Sequence, residues 1–126
     1  MNTEAASPPA IDMTAITQLA EGGELGEQFI VEIIDVFLGD LSKRVHVIGT
    51  QTSNRDFAGI KATAHAIKGS CGHFGAMRLI DLLLTIEELA GRAETDGLQN
   101  AIDSMVAETV RVRAALELFR ARNARP

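Results

Sequence analysis

The chain has 126 residues, with 17 acidic against 12 basic side chains, a net charge of -5, and 46% hydrophobic residues. That length suits one domain with a single core, and the acidic balance excludes a broad basic footprint for duplex DNA. Five Phe with neither Trp nor Tyr exclude an aromatic platform for single-stranded nucleic acid. Neither a G-x-x-x-x-G-K run followed by Ser or Thr nor a G-x-G-x-x-G run is present, so no familiar phosphate-cradling loop is predicted. The single cysteine, Cys71, excludes an internal disulfide and a Cys-only metal site. The residues after Met1 lack the basic start and apolar run of a secretory signal. No stretch approaches the ~18 apolar residues of a membrane helix, so a cytoplasmic protein with no membrane and no nucleic-acid partner is expected.

Residues 1–10 (MNTEAASPPA) are small, polar and Pro-containing and read as a flexible tail. Asp12 is placed to cap a short first helix through Met13, Ile16 and Leu19, ended by Gly22-Gly23. A long second helix is predicted from Leu25, Phe29, Ile33, Phe37, Leu41, Val45 and Ile48 at three- and four-residue spacing. Glu24 and Glu27 fall in its expected first turn and Lys43, Arg44 and His46 near its expected end at Gly49, which suits the helix dipole. Ser53 or Asn54 can cap a third helix with Phe57, Ile60, Ala64, Ile67, Cys71 and Phe74 as its apolar row, broken at Gly75. The fourth helix carries Leu79, Leu82, Ile86, Leu89 and Ala93. After a turn at Asp96-Gly97 the last helix shows Leu98, Ile102, Met105, Thr109, Val112, Leu116 and Phe119. The pattern predicts an all-α fold: an antiparallel four-helix bundle over residues 11–122 with a short additional N-terminal helix. The Arg-rich end, with Arg120, Arg122, Arg125 and Pro126, is expected to fray, residues 123–126 above all.

One face of the third helix does not fit a plain bundle. With His65 at zero and steps of ~100° per residue, Ile60, Ala64, Ile67, Cys71 and Phe74 fall on the opposite, core side. His65 therefore faces solvent among Lys61, Lys68, Gly69, Gly72, Ala58 and Ala62. Each glycine inside a helix costs roughly 1 kcal/mol relative to Ala, so two beside an exposed histidine suit close approach by another body. Lys68 sits three residues on and can reach an anion held on the imidazole. An ordinary imidazole titrates near ~6.5 and is largely neutral and nucleophilic at neutral pH.

The run Ala64-His65-Ala66-Ile67-Lys68-Gly69-Ser70-Cys71-Gly72-His73-Phe74-Gly75-Ala76 resembles the signature of histidine phosphotransfer (HPt) domains: His-x-hydrophobic-Lys-Gly, two small residues, then a hydrophobic-Gly-Ala break. The likeness continues through Leu79, Leu83, Ile86 and Glu87, and upstream through Phe37-Leu38, Asp40 and Asp12-Met13, about residues 11–119. The chain departs from the family pattern at His73, where Asn or another small polar residue is frequent, and at Leu83, where Cys or Ala is common.

The resemblance implies a four-helix bundle with one phospho-accepting histidine, His65. That residue would receive a phosphoryl group from a receiver-domain aspartyl phosphate and pass it to another receiver. Lys68 would hold phosphoryl oxygens and Gly69 would leave room for the receiver; Lys61 and Gly72 join the expected partner-binding face. The expected partners are response-regulator receiver domains or a hybrid sensor histidine kinase. Mg²⁺ would come with the receiver, so no metal site and no cofactor of this chain's own are expected. A monomer is expected, and the start at Met1 and the end soon after the last helix suggest a free-standing carrier, the alternative being a piece of a hybrid kinase.

Ordinary readings stand beside these. His65 alone could be a solvated surface histidine, and Lys61 a solvated charge. His73 lies ~12 Å along the helix axis from His65, too far to share a metal, and reads as a helix-end polar residue. Cys71, on the apolar row, reads as a packed small hydrophobe. Two other function classes compete: a receiver-docking module without phosphotransfer, and an ATP-dependent kinase or phosphatase. No nucleotide motif and no carboxylate at a motif spacing from His65 favour the last; the chain is expected to be a carrier and not an enzyme.

Overall fold

Apolar side chains recurring every three to four residues dictate helices that bury one stripe each, and the computed structural model, describing residues 9–22 and 26–123, contains five. They are α1 (Thr14–Gly22), α2 (Gly26–Ser53), α3 (Phe57–Cys71), α4 (Met77–Gly91) and α5 (Leu98–Asn123), with a 3₁₀ turn at Gly72–Phe74. The short links after α2, α3 and α4 make successive helices antiparallel, and α5 closes the ring against α2. There is no strand among the described residues. None of their helices is long and apolar enough to cross a membrane.

The core is the meeting of four stripes. Ile34 and Ile48 come from α2, Ile60 and Ile67 from α3, Leu79, Leu83 and Ile86 from α4, and Met105, Val112 and Leu116 from α5, all fully buried. Burying side chains of this size contributes about 1.5–3 kcal/mol each before entropy is counted. Phe37 of α2 and Phe74 of the 3₁₀ turn stack with ring centroids 4.4 Å apart. Ala10, Met13 and Ile16 bring the N-terminal segment into the same core. Glu108, buried on α5, is compensated by Arg111 at 2.9 Å and by Arg78 of α4 at 3.3 Å; an unpaired carboxylate there would be strongly destabilising.

Several helix ends differ from the sequence expectation, each for a hydrogen-bonding reason. α2 does not stop at Gly49 but continues to Ser53. It ends where Arg55 takes a left-handed conformation, its N–H donating to the Thr52 carbonyl and that of Asp56 to the Gln51 carbonyl, a Schellman closure. Ser53 and Asn54 are thereby used up in finishing α2, and Asp56 caps α3, accepting from the Gly59 N–H at 2.9 Å. Lys43 and Arg44 consequently lie mid-helix, where Arg44 pairs with Asp40 at 2.7 Å, and His46 is no longer at a helix end.

The same closure ends α4. Ala93, expected on its apolar row, is left-handed beyond the helix, and the N–H of Glu94 donates to the Leu89 carbonyl. The buried row of α4 is Leu79, Leu83, Ile86 and Ala90, and Leu82 and Leu89 are only partly buried. On α2 Phe37, Leu41 and Ile48 of the expected row are buried and Ile30, Ile34 and Leu38 join them, while Ile33 and Val45 are only partly buried. α5 remains helical through Asn123, and Arg120 is tied to Asp35 of α2. Residues 1–8, Gly23, Glu24, Leu25 and residues 124–126, Arg125 and Pro126 included, lie outside the described residues.

A backbone joint fixes the start of α1 to the end of α3. The Asp12 N–H donates to the Phe74 carbonyl at 2.8 Å. The Asp12 carboxylate in turn accepts from the Thr14 hydroxyl at 2.6 Å and the Thr14 N–H at 3.0 Å, bonds that lower its pKa. Gly75 turns the chain there at φ +59°, and a Cβ would stand 2.5 Å from the Asp12 carbonyl oxygen. Only glycine satisfies both the conformation and the approach.

Candidate functional site

α3 presents His65 as its periodicity requires. Ile60, Ala64, Ile67 and Cys71 are buried, and the His65 side chain on the other side is 71% exposed. Lys61, Gly69 and Gly72 are exposed on the same side, and Lys68 is half-buried beside them. A Cβ at Gly69 or Gly72 would meet nothing within 4 Å. The fold itself therefore gives no steric reason for either glycine, and the backbone beside His65 is left bare.

The contact that sequence reasoning missed comes from α4. Glu87 reaches across the α3–α4 seam, and its Oε2 accepts from Nδ1 of His65 at 2.8 Å. Its Oε1 pairs with Nζ of Lys68 at 2.6 Å. Glu87 is largely buried, with 12% of its side chain exposed. Burial, the largest single influence, pushes the carboxyl pKa up, but the hydrogen bonds from Lys68 and His65 together with the charges of both outweigh it and hold the carboxyl below its ordinary value. A carboxyl lowered in the folded state contributes stability at neutral pH, and that contribution is lost as pH falls through the lowered value. No carboxylate at a motif spacing was expected to orient His65; the one that does stands 22 residues on, on the facing helix.

The chemistry of this arrangement follows from the tautomer. An ionised carboxylate only accepts, so Nδ1 of His65 carries the hydrogen and Nε2 of the neutral ring carries the free lone pair. Nε2 makes no hydrogen bond among the described residues. The site is an oriented, exposed nucleophile with a cation one turn away and a carboxylate behind the ring.

Beyond Gly72, toward α1 and α2, an apolar groove of about 460 Å³ is lined by Ile16, Phe29, Ile33, Val36, Phe74 and, at its rim, His73. His73 is exposed in the 3₁₀ turn. Cys71 is fully buried, and burial pushes its thiol up to about 12, which makes it a packing residue. No group of three or more His, Cys, Asp or Glu side chains among the described residues is placed to hold a metal ion.

A profile of the Hpt domain family matches residues 32–122, most of the chain, and the protein therefore belongs to the Hpt domain family. Phosphorelay protein LuxU of Vibrio harveyi is 27% identical over 67 residues, which are 53% of this chain and 59% of LuxU. The crystal structure of histidine-containing phosphotransfer protein B (HptB) from Pseudomonas aeruginosa superposes with a TM-score of 0.82 at 27% identity, over 92% of this chain and 98% of that one.

Proposed function

We propose that this chain is a phosphorelay intermediate that accepts a phosphoryl group on Nε2 of His65 from a receiver-domain aspartyl phosphate and transfers it to another receiver. The observation that carries the reading is the His65–Glu87 bond, which leaves Nε2 as the exposed nucleophile. In the forward step the Nε2 lone pair attacks phosphorus, the N–P bond forms, and the acyl P–O bond breaks with its electrons returning to the aspartate carboxylate. The ring becomes a phospho-imidazolium that keeps its Nδ1–H, and the Glu87 carboxylate stabilises the positive charge. That cationic ring is in turn a good leaving group when the next aspartate attacks, so one arrangement serves both directions.

Lys68 turns from Glu87 toward the phosphoryl oxygens once these arrive, since its ammonium stands one helical turn from the ring. The receiver brings Mg²⁺ and the acidic pocket that holds it. The bare backbone at Gly69 and Gly72 admits the receiver, and the apolar groove adjoining them supplies contact area.

The test is transfer from each candidate receiver, charged with acetyl phosphate and Mg²⁺, to the purified chain. Label moves to the chain from at least one receiver; receivers that bind without labelling it leave a docking module instead. Lys68→Ala is expected to slow transfer about tenfold, the worth of one charge-assisted hydrogen bond, with the circular dichroism spectrum unchanged. Wild-type transfer and wild-type retention of phosphate by that variant remove Lys68 from the site.

A further inference from the structure

A shallow basin of about 400 Å³ lies between α3 and α4 beside the histidine, lined by Lys61, Lys68, Glu87, Glu88, Gly91 and Arg92 among others. Its cations are unequal. Lys68 is paired with Glu87 at 2.6 Å, and Arg92 with Glu94 at 3.3 Å and more loosely with Glu88 at 4.0 Å. Lys61, one turn before His65 on α3, is exposed and forms no ion pair among the described residues. Its stem is nevertheless not free in solvent. Nζ, Cδ and Cε lie 3.5, 3.6 and 3.7 Å from where a Cβ on Gly91 would stand, so the side chain lies across the last turn of α4 with its ammonium in the basin.

Among the cations of the basin, the Lys61 ammonium is thus the one without an ion-paired carboxylate among the described residues, on a molecule whose net charge is -5. An anionic group that arrives with whatever reaches His65 would pair with that ammonium. A phospho-accepting aspartate pocket is such a body: it carries the acyl phosphate and the carboxylates that bind Mg²⁺. We infer that Lys61 is the docking cation for the acidic rim of the receiver's phosphorylation pocket, held in the basin between α3 and α4 by its seat on Gly91. This rests on the phosphocarrier reading and adds to it a residue that governs encounter and choice of receiver, without touching the phosphorus. Attraction of this kind raises association rates and is screened by salt.

The experiment is single-turnover transfer from a receiver domain charged with acetyl phosphate and Mg²⁺, with receiver concentration varied at about 50 mM and about 500 mM salt, between which the screening length falls from above 10 Å to a few ångströms. Lys61→Glu is expected to lower the second-order rate constant about tenfold at low salt and less than about twofold at high salt. The limiting rate at saturating receiver stays unchanged, and Lys61→Arg keeps the wild-type second-order rate. Gly91→Glu, which sets a carboxylate beside the Lys61 ammonium, reproduces the salt-sensitive loss while Lys61 is still present.

An equal loss at both salts, a fall confined to the limiting rate, or unchanged low-salt kinetics in Lys61→Glu overturns the inference. The phosphocarrier reading is judged separately by the wild-type chain. If that chain takes no phosphate yet binds the beryllofluoride-loaded receiver in a salt- and Lys61-dependent way, the docking role stands and the carrier role falls.

Discussion

His65→Gln is expected to abolish acceptance of phosphate from every receiver while the bundle stays folded. The two halves of this expectation rest on different observations. The side chain is 71% exposed, and its hydrogen bond is to Glu87, so little packing is lost; surface changes of this kind move stability by about 0.5 kcal/mol or less. The glutamine amide can still donate toward the Glu87 carboxylate, which keeps that largely buried group partnered. Its nitrogen has no available lone pair, however, and cannot attack phosphorus. Labelling by a phosphorylated receiver should fall by at least about 10³-fold, as removal of a nucleophile does elsewhere, with an unchanged thermal midpoint. Labelling at the wild-type rate would remove His65 from the mechanism.

The second large effect is expected at Glu87. Glu87→Ala takes away the acceptor on Nδ1 and, on the proposed mechanism, the charge that would stabilise the phospho-imidazolium. Transfer in either direction should slow about 10²-fold, the scale on which positioned acid–base partners act. Glu87→Gln separates the two contributions. An amide oxygen still accepts from Nδ1, so the ring keeps its orientation, but the negative charge is gone; a loss of about tenfold is expected, equivalent to one pKa unit of differential stabilisation. Rapid-quench rates for the pair, read beside thermal midpoints, decide the matter. Equal rates for the wild type and Glu87→Ala would reduce Glu87 to a structural ion-pair partner of Lys68.

How far the sequence speaks for this molecule depends on the range of the interaction. The stripe of α3 and the solvent-facing position of His65 were legible because both follow from periodicity within one helix, as was the row of α5 from Leu98 to Leu116. The ends of α2 and α4 were not. Each closes on a left-handed residue that is not glycine, Arg55 and Ala93, so the glycine signal pointed to Gly49 for α2 and to Asp96-Gly97 for the turn after α4. Glu87 was missed as the partner of His65 because the pair is tertiary, formed only when α3 and α4 pack. A signal was nonetheless present. Leu83, Glu87 and Ala90 share one face of α4, and Leu83 and Ala90 are buried, so a carboxylate sits within an apolar stripe. Such a residue needs a hydrogen-bonding or charged partner on the facing helix, and α3 offers His65 and Lys68 there.

The departures at positions 73 and 83 separate in the same way. Leu83 is a fully buried core residue, so its effect is on packing volume. His73 stands on the rim of the apolar groove, away from the His65–Glu87–Lys68 cluster, and leaves the reacting atoms untouched.

The central claim, that Nε2 of His65 carries the phosphoryl group, is tested most directly by nitrogen–phosphorus coupling in the ¹⁵N-labelled chain after transfer from a phosphorylated receiver. The account predicts phosphorus bonded to Nε2 of His65, in an acid-labile linkage that disappears when a second receiver is added. Phosphorus on Nδ1, or on any residue other than His65, would contradict it.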